Sequence, residues 1–447
     1  MEIPVDLGTT PESSLDVDID LGHPTFWEKL VVLGMAVAAF GPYISGSVRT
    51  EQAVVYSLFL LVSVRALRVW PSKCGRMLFI ATVGALASSM FGVAFPSSQT
   101  PLYEPGSLYA GLDNMALPVA VLVIVWVVVP SDHAISLLGT YARVIVWATA
   151  FNGALAVVST RIDLSGTLRA FWAPEGAGQT VADRAEQGGR FSGIFNQPAE
   201  AGLMYGIAAL LAVFCYKNDT KKLLLALSFI TVGGLICISK VFILCGLPLT
   251  ILYLLRTTSL SKKVSFTVAG VIVFLGLGQT GFIQSWVGVG SLTNILSPGS
   301  RGLVDHFSAG RWNSGSHVQT LITDALANSP IAGVGAGGWE TGYDSGWTQA
   351  IVIGGIIGVV LHVIMMLSVL QLAKRMIDVD RRNLTLMVGL LLIGADLGIP
   401  AFTANRDATV VWILLALLCL VESHTRKDKF GQRANSDHRI RAKTLIK

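Results

Sequence analysis

Long runs of apolar side chains broken by short charged loops constrain this chain more than any other feature. "LPVAVLVIVWVVV", residues 117 to 129, is one such run. Repeated along the chain, such runs exceed what a domain in water would cover, whereas in hydrocarbon each satisfies its own backbone by becoming helical. A helix that crosses a bilayer needs about 20 mostly apolar residues. About twelve candidates occur, near 27 to 46, 51 to 69, 76 to 95, 114 to 130, 135 to 158, 193 to 215, 222 to 239, 241 to 256, 264 to 286, 346 to 373, 384 to 400 and 407 to 423, of which the fourth and eighth are short. Composition agrees, since 52% of the 447 residues are hydrophobic and 14% are charged. Mean hydropathy is +0.62. The expectation is an all-α, polytopic integral membrane protein.

The first 26 residues are acidic and polar and lack the basic start and apolar core of a cleavable signal, so the first span is expected to act as its own insertion signal. Basic residues in short loops mark the cytoplasmic side. Arg65, Arg68, Lys73 and Arg76 follow span two; Lys217, Lys221 and Lys222 follow span six; Arg256, Lys262 and Lys263 follow span eight; Lys374, Arg375, Arg381 and Arg382 follow span ten. All are even-numbered junctions, so both chain ends are expected in the cytoplasm. The organisation reads as a cytoplasmic tail over 1–26, spans one to nine over 27–286 with an external loop at 159–192, a long external loop over 287–345, spans ten to twelve over 346–423, and a basic cytoplasmic tail over 424–447. Cys74, Cys215, Cys237, Cys245 and Cys419 avoid the long external loops, which argues against a disulfide framework or a metal site.

The basic residues of the external loops are arginines: Arg161, Arg169, Arg184, Arg190, Arg301 and Arg311; Lys240, between spans seven and eight, is the lysine on that side. Arginine grips phosphate oxygens with a planar fork and stays charged. In the longer loop, Val318, Leu321, Ile322, Ala325 and Leu326 have the spacing of an amphipathic helix that ends near Asn328, before Pro330. Gly333, Gly335, Gly337 and Gly338 follow and let the backbone turn tightly or approach a ligand. No strand precedes them and no Gly-Lys-Ser/Thr follows, so they form neither a dinucleotide fingerprint nor a P-loop.

External carboxylates near spans are Glu200, Asp305, Asp324, Glu340, Asp344 and Asp407, and external histidines are His306 and His317. No nucleophile motif and no metal-ligand spacing appears among them. Arginine facing carboxylate suits an anionic leaving group and a base that activates a hydroxyl. Glu200 shares a helical face with Asn196 and Gln197, where it either pairs with an external arginine to hold the loop or serves the chemistry. Asp396, in "GADLGIPAF", reads as part of a broken helix.

"GRFSGIFNQPAEAGLMYG", with fifteen residues between Arg190 and Gly206, is similar to the arginine motif of the O-antigen polymerase and O-antigen ligase superfamily. "ISK" at 238 to 240 resembles a junction that in the family is usually Ser-Arg. The segment from "SAGRWNSGSH" through "YDSGWTQAIVIGGIIG" resembles its long external loop. Together these cover roughly 185 to 375. The resemblance implies a GT-C-like bacterial inner-membrane glycosyltransferase without cofactor or metal, working at the periplasmic face on undecaprenyl-diphosphate-linked oligosaccharide. Membrane lipid, a chain-length regulator and a flippase are the further partners it implies, and no nucleic acid. It assigns pyrophosphate binding to Arg190, Arg311, Lys240 and Arg301, the catalytic carboxylate to Asp344, with Glu340 and Glu200 as alternatives, and acceptor or glycan contacts to Tyr343, His317 and Gln197. Lys240 keeps the family's charge without the fork. Asp344 stands where ligases carry a histidine, which tilts the reading towards a polymerase. A ligase, or a transporter or flippase, remains open; transporters usually show interrupted helices and polar groups at the midplane.

Overall fold

The computed structural model describes residues 23–45, 48–64, 72–94, 108–172, 180–258, 315–336 and 345–444. These are mostly helical. The helices are α1 Phe26–Ala38, α2 Thr50–Ser63, α3 Lys73–Ala94, α4 Leu108–Val128, α5 Ala134–Ser159, α6 Ser165–Leu168, α7 Val181–Gln187, α8 Pro198–Tyr216, α9 Thr220–Ile236, α10 Leu247–Thr257, α11 His317–Asn328, α12 Gly346–Arg375, α13 Val379–Ala395 and α14 Asn405–Thr444. Between α1 and α2, β1 Tyr43–Ser45 pairs antiparallel with β2 Val48–Arg49. Among the described residues six helices, α3, α4, α5, α8, α12 and α14, are long and apolar enough to cross a membrane. The apolar run at 264–286 lies outside the described residues.

Local signals set the boundaries. Thr25 and Glu28 close a capping box at the start of α1, and the Glu28 carboxylate also meets His133 Nδ1 at 2.8 Å, tying α1 to the start of α5. α8 begins with Pro198 in its first turn, where the missing N–H costs nothing. The apolar windows of α8 and α14 are each 83% buried, so these two helices form the interior and the others surround them. α14 runs beyond the expected span into the basic tail, which is helical to Thr444.

Helix α12 departs most from the expected span at 346–373. Its backbone leaves helical geometry at Gly355 (φ 56°, ψ −147°). A Cβ on Gly358 would lie 2.3 Å from the carbonyl oxygen of Ala350, and the Trp347 and His362 rings sit 5.1 Å apart. In a straight helix, residues eight apart are separated by about 12 Å. The segment is therefore a helical hairpin, with 346–354 folded back on 355–375. The loop after α11 holds the bend: Val334 and Gly335 N–H donate to the carbonyls of Val352 and Ile353, while Ile356 and Ile357 N–H donate to those of Pro330 and Ile331. Each side of the break is thus satisfied by protein, as hydrocarbon demands. Gly333 (φ 65°) has no room for a Cβ, which would meet Gly355 N and Val352 O at 2.6 Å. Gly333 and Gly335 serve this packing.

Candidate functional site

The segment 189–202 is a buried turn that feeds α8. Gly193 is left-handed (φ 64°), and a Cβ there would strike Asn152 Oδ1 at 2.2 Å. Asn152, on α5, clasps the turn from both sides: its Nδ2 donates to Ser192 O at 3.2 Å and its Oδ1 accepts from Ile194 N at 2.9 Å. Trp172 Nε1 donates to Gly193 O at 2.9 Å, and Arg406 donates to Ile194 O at 2.8 Å and Phe171 O at 2.7 Å. The turn is fixed by side chains from three other parts of the chain.

Arg190 leaves this turn half-buried, and its Nη2 donates to the carbonyl of Ile238 at 3.2 Å. Ile238 is β-branched yet has φ 47°, a conformation that costs energy and concentrates at functional sites. Lys240, half-buried two residues on, begins the helical run that passes through a π-helical stretch, Phe242–Gly246, into α10. The "GRF" and "ISK" segments, 48 residues apart in sequence, are thereby adjacent.

Glu200 is fully buried. One carboxylate oxygen accepts from Asn196 N at 3.0 Å, the residue before the N-cap of α8; Oε1 has no hydrogen-bond partner among the described residues. The cations whose fields reach it are Arg406 and then Arg49. Around these arginines lies a cluster built where α2, α8 and α14 begin. Arg49 pairs with Glu51 at 2.6 Å and Asp113 at 3.1 Å; the Asn196 amide donates to Tyr43 OH at 3.1 Å; the Arg406 guanidinium lies 5.5 Å from the Tyr43 ring centre. Asp407 is fully buried beside Glu200 and Arg406. A carboxylate buried to this degree needs the arginines, and removing either partner would strand the other. Sequence reasoning missed Arg49, Glu51, Asp113, Asn152 and Arg406. Charged residues opening apolar helices, "VRTE" and "ANRDA", were the available signal.

Gln197 is the half-buried N-cap of α8 and makes no side-chain cap. His317 begins α11, which ends at Asn328 as its periodicity predicts and packs Leu321 and Ala325 against Met115, Val352 and Ile353. Arg301, Arg311, Glu340, Tyr343 and Asp344 lie outside the described residues. Ser345, the chain neighbour of Asp344, donates its hydroxyl to Asp396 O at 3.0 Å.

Asp396 caps the end of α13, in keeping with a broken helix, and also makes a contact the sequence did not announce. Its Oδ2 lies 2.6 Å from His362 Nε2, and its Oδ1 accepts from Ala401 N at 3.2 Å. His362 is thirteen residues, about 20 Å, from the basic end of α12. Polar groups are therefore not confined to the helix ends.

In the loop ahead of Arg190, burial pushes the half-buried Glu186 carboxyl up to about 7, with Asp183 and Asp163 adding to the rise. No protein-family model matches the chain, and no curated protein is significantly similar to it.

Proposed function

We propose that the protein is a membrane glycosyltransferase that polymerises lipid-pyrophosphate-linked oligosaccharide repeat units at the outer face of the bacterial inner membrane, on a GT-C-like scaffold of about twelve spans. The observation that carries this reading is the bond from Arg190 to Ile238 O, which brings Arg190 to the segment carrying Lys240. Two cations on neighbouring segments suit a diphosphate, whose charge grows as the bond from sugar C1 to oxygen breaks. Arg301 and Arg311 complete the anion site. Asp344, or Glu340, takes the proton of the acceptor hydroxyl as its oxygen bonds to C1 and the lipid pyrophosphate leaves. Tyr343, His317 and Gln197 contact the acceptor or glycan. Glu200, which accepts from Asn196 N and lies in the fields of Arg406 and Arg49, is a positioning residue under this reading.

The test is incubation of the purified protein with a synthetic lipid-pyrophosphate repeat unit. A ladder of longer lipid-linked products is expected; a single transfer to a different acceptor would instead identify a ligase. A second reading, a transporter or flippase, draws on the helical hairpin of α12 and the deep His362–Asp396 pair, since interrupted helices and buried ionisable groups line transport sites. Translocation across vesicles with no bond change would establish it and overturn the first.

A further inference from the structure

A cavity of ≈ 40 Å³ lies against the hairpin of α12, walled by α3, α4, the turn after α13, and α14. Most polar side chains in its lining are satisfied by neighbours: Thr82 donates to Leu78 O, Thr403 donates to Gln349 Oε1, and Trp412 Nε1 donates to Phe402 O. Gln349 is the exception. It is 2% exposed, and its Nε2 has no hydrogen-bond partner among the described residues. A buried amide N–H without an acceptor is costly.

Acceptors stand in the same lining. A carboxylate offers about four lone-pair sites; Asp396 uses one oxygen on His362 Nε2 and the other on Ala401 N, which leaves capacity on both. Thr403 gives its hydrogen to Gln349 Oε1 and keeps lone pairs of its own. An unmet donor and spare acceptors therefore share a space with room for about three water-sized groups. That size excludes a hydrocarbon chain or a sugar. A cation would face the Gln349 N–H groups, an anion would face the Asp396 carboxylate, and an apolar atom would leave the amide unmet. Water both accepts and donates.

We propose that this cavity is a hydration site inside the helical bundle, where water accepts the Gln349 Nε2 hydrogens and donates to the Asp396 carboxylate. The His362–Asp396 pair thereby gains a partner for proton exchange that hydrocarbon does not supply. The site stands or falls independently of the polymerase and transporter readings.

The test uses the full chain in phosphatidylcholine vesicles, in water enriched in a heavy oxygen isotope, with a radical scavenger in the bulk phase and brief X-ray radiolysis. A radical born from water inside the protein reacts with the side chains beside it. Met365 and Trp412, which line the cavity, should take up the isotope, whereas Met204, Met387 and Trp126, buried outside its lining, should not. Gln349→Leu, which removes the donor, should lower the uptake about fivefold, the size of one hydrogen bond. Uptake at Met365 and Trp412 no greater than at the three controls would overturn the site. Unchanged uptake in a folded Gln349→Leu protein would overturn it as well. If that variant fails to fold, the comparison within the native protein decides alone.

Discussion

Arg190 holds the carbonyl of Ile238 through Nη2 at 3.2 Å, joining two segments that the sequence separates by 48 residues. If the same guanidinium also grips the leaving pyrophosphate, Arg190→Ala should lower turnover of a lipid-pyrophosphate donor by about 100-fold or more. Arg190→Lys, which keeps charge without the fork, should lose about tenfold. Single-turnover kinetics with a synthetic donor measures both. Full activity in Arg190→Ala would remove the leaving-group role.

Asn152 is the brace of the arginine turn, bonded to Ser192 O, Ile194 N and Tyr205 OH in a fully buried setting. Asn152→Ala should cost about 3 kcal/mol, because three buried polar groups lose their partner together. The midpoint of unfolding in detergent reads this, and a loss within 0.5 kcal/mol, about the scatter of neutral surface changes, would show that the brace is dispensable.

For the hairpin, Gly358→Ala is the sharp probe. Its Cβ would lie 2.3 Å from Ala350 O, a backbone atom that cannot swing aside. The two arms should be forced apart at a cost of about 2 kcal/mol or more. In a straight α12 the same change would raise stability, since alanine is the better helix former. The sign of the change in melting temperature therefore distinguishes the two backbones.

His362 and Asp396 form a buried pair, with side chains 7% and 0% exposed. Removing one partner leaves the other uncompensated, so His362→Leu and Asp396→Leu should each cost about 3–5 kcal/mol. The double variant should lose distinctly less than their sum. Additive losses in this thermodynamic cycle would mean the two groups do not support each other.

Glu186 gives the pH dependence. Its folded-state value of about 7 stands above the ordinary carboxyl value of 4.5, so the folded protein holds a proton that the unfolded chain releases earlier. This contribution is complete below pH 4.5 and is lost as pH rises through about 7. Amide exchange in 181–190 should quicken across that window, and Glu186→Gln should flatten the response. Faster exchange as pH falls, after correction for intrinsic rates, would reverse the assignment.

Much of the helical framework was legible. The expected spans at 76 to 95, 135 to 158 and 222 to 239 match α3, α5 and α9 within a few residues, because in hydrocarbon an apolar run has little choice but a helix. The end of α11 at Asn328 followed from its periodicity. What hydropathy could not reveal was direction reversal inside an apolar run: 346–354 reads as the start of the arm it folds against, and only Gly354–Gly355 hints at the bend. The site was half visible. Arg190, Lys240 and Glu200 stood out as charges on apolar segments, whereas Arg49, Asn152 and Arg406 matter through partners distant in sequence. Pairing His362 with Asp396 required knowing which helices touch.

The hairpin of α12 has a consequence for the order of assembly. Its short arm spans nine residues, too few to cross a bilayer, and its ends depend on Asp396 from the following helix and on the loop at 330–335. Asp396 has not yet been made when the segment first emerges during synthesis. The long arm and α13 must therefore settle in the membrane before residues 346–354 acquire their final place, so an earlier piece of chain is completed by a later one.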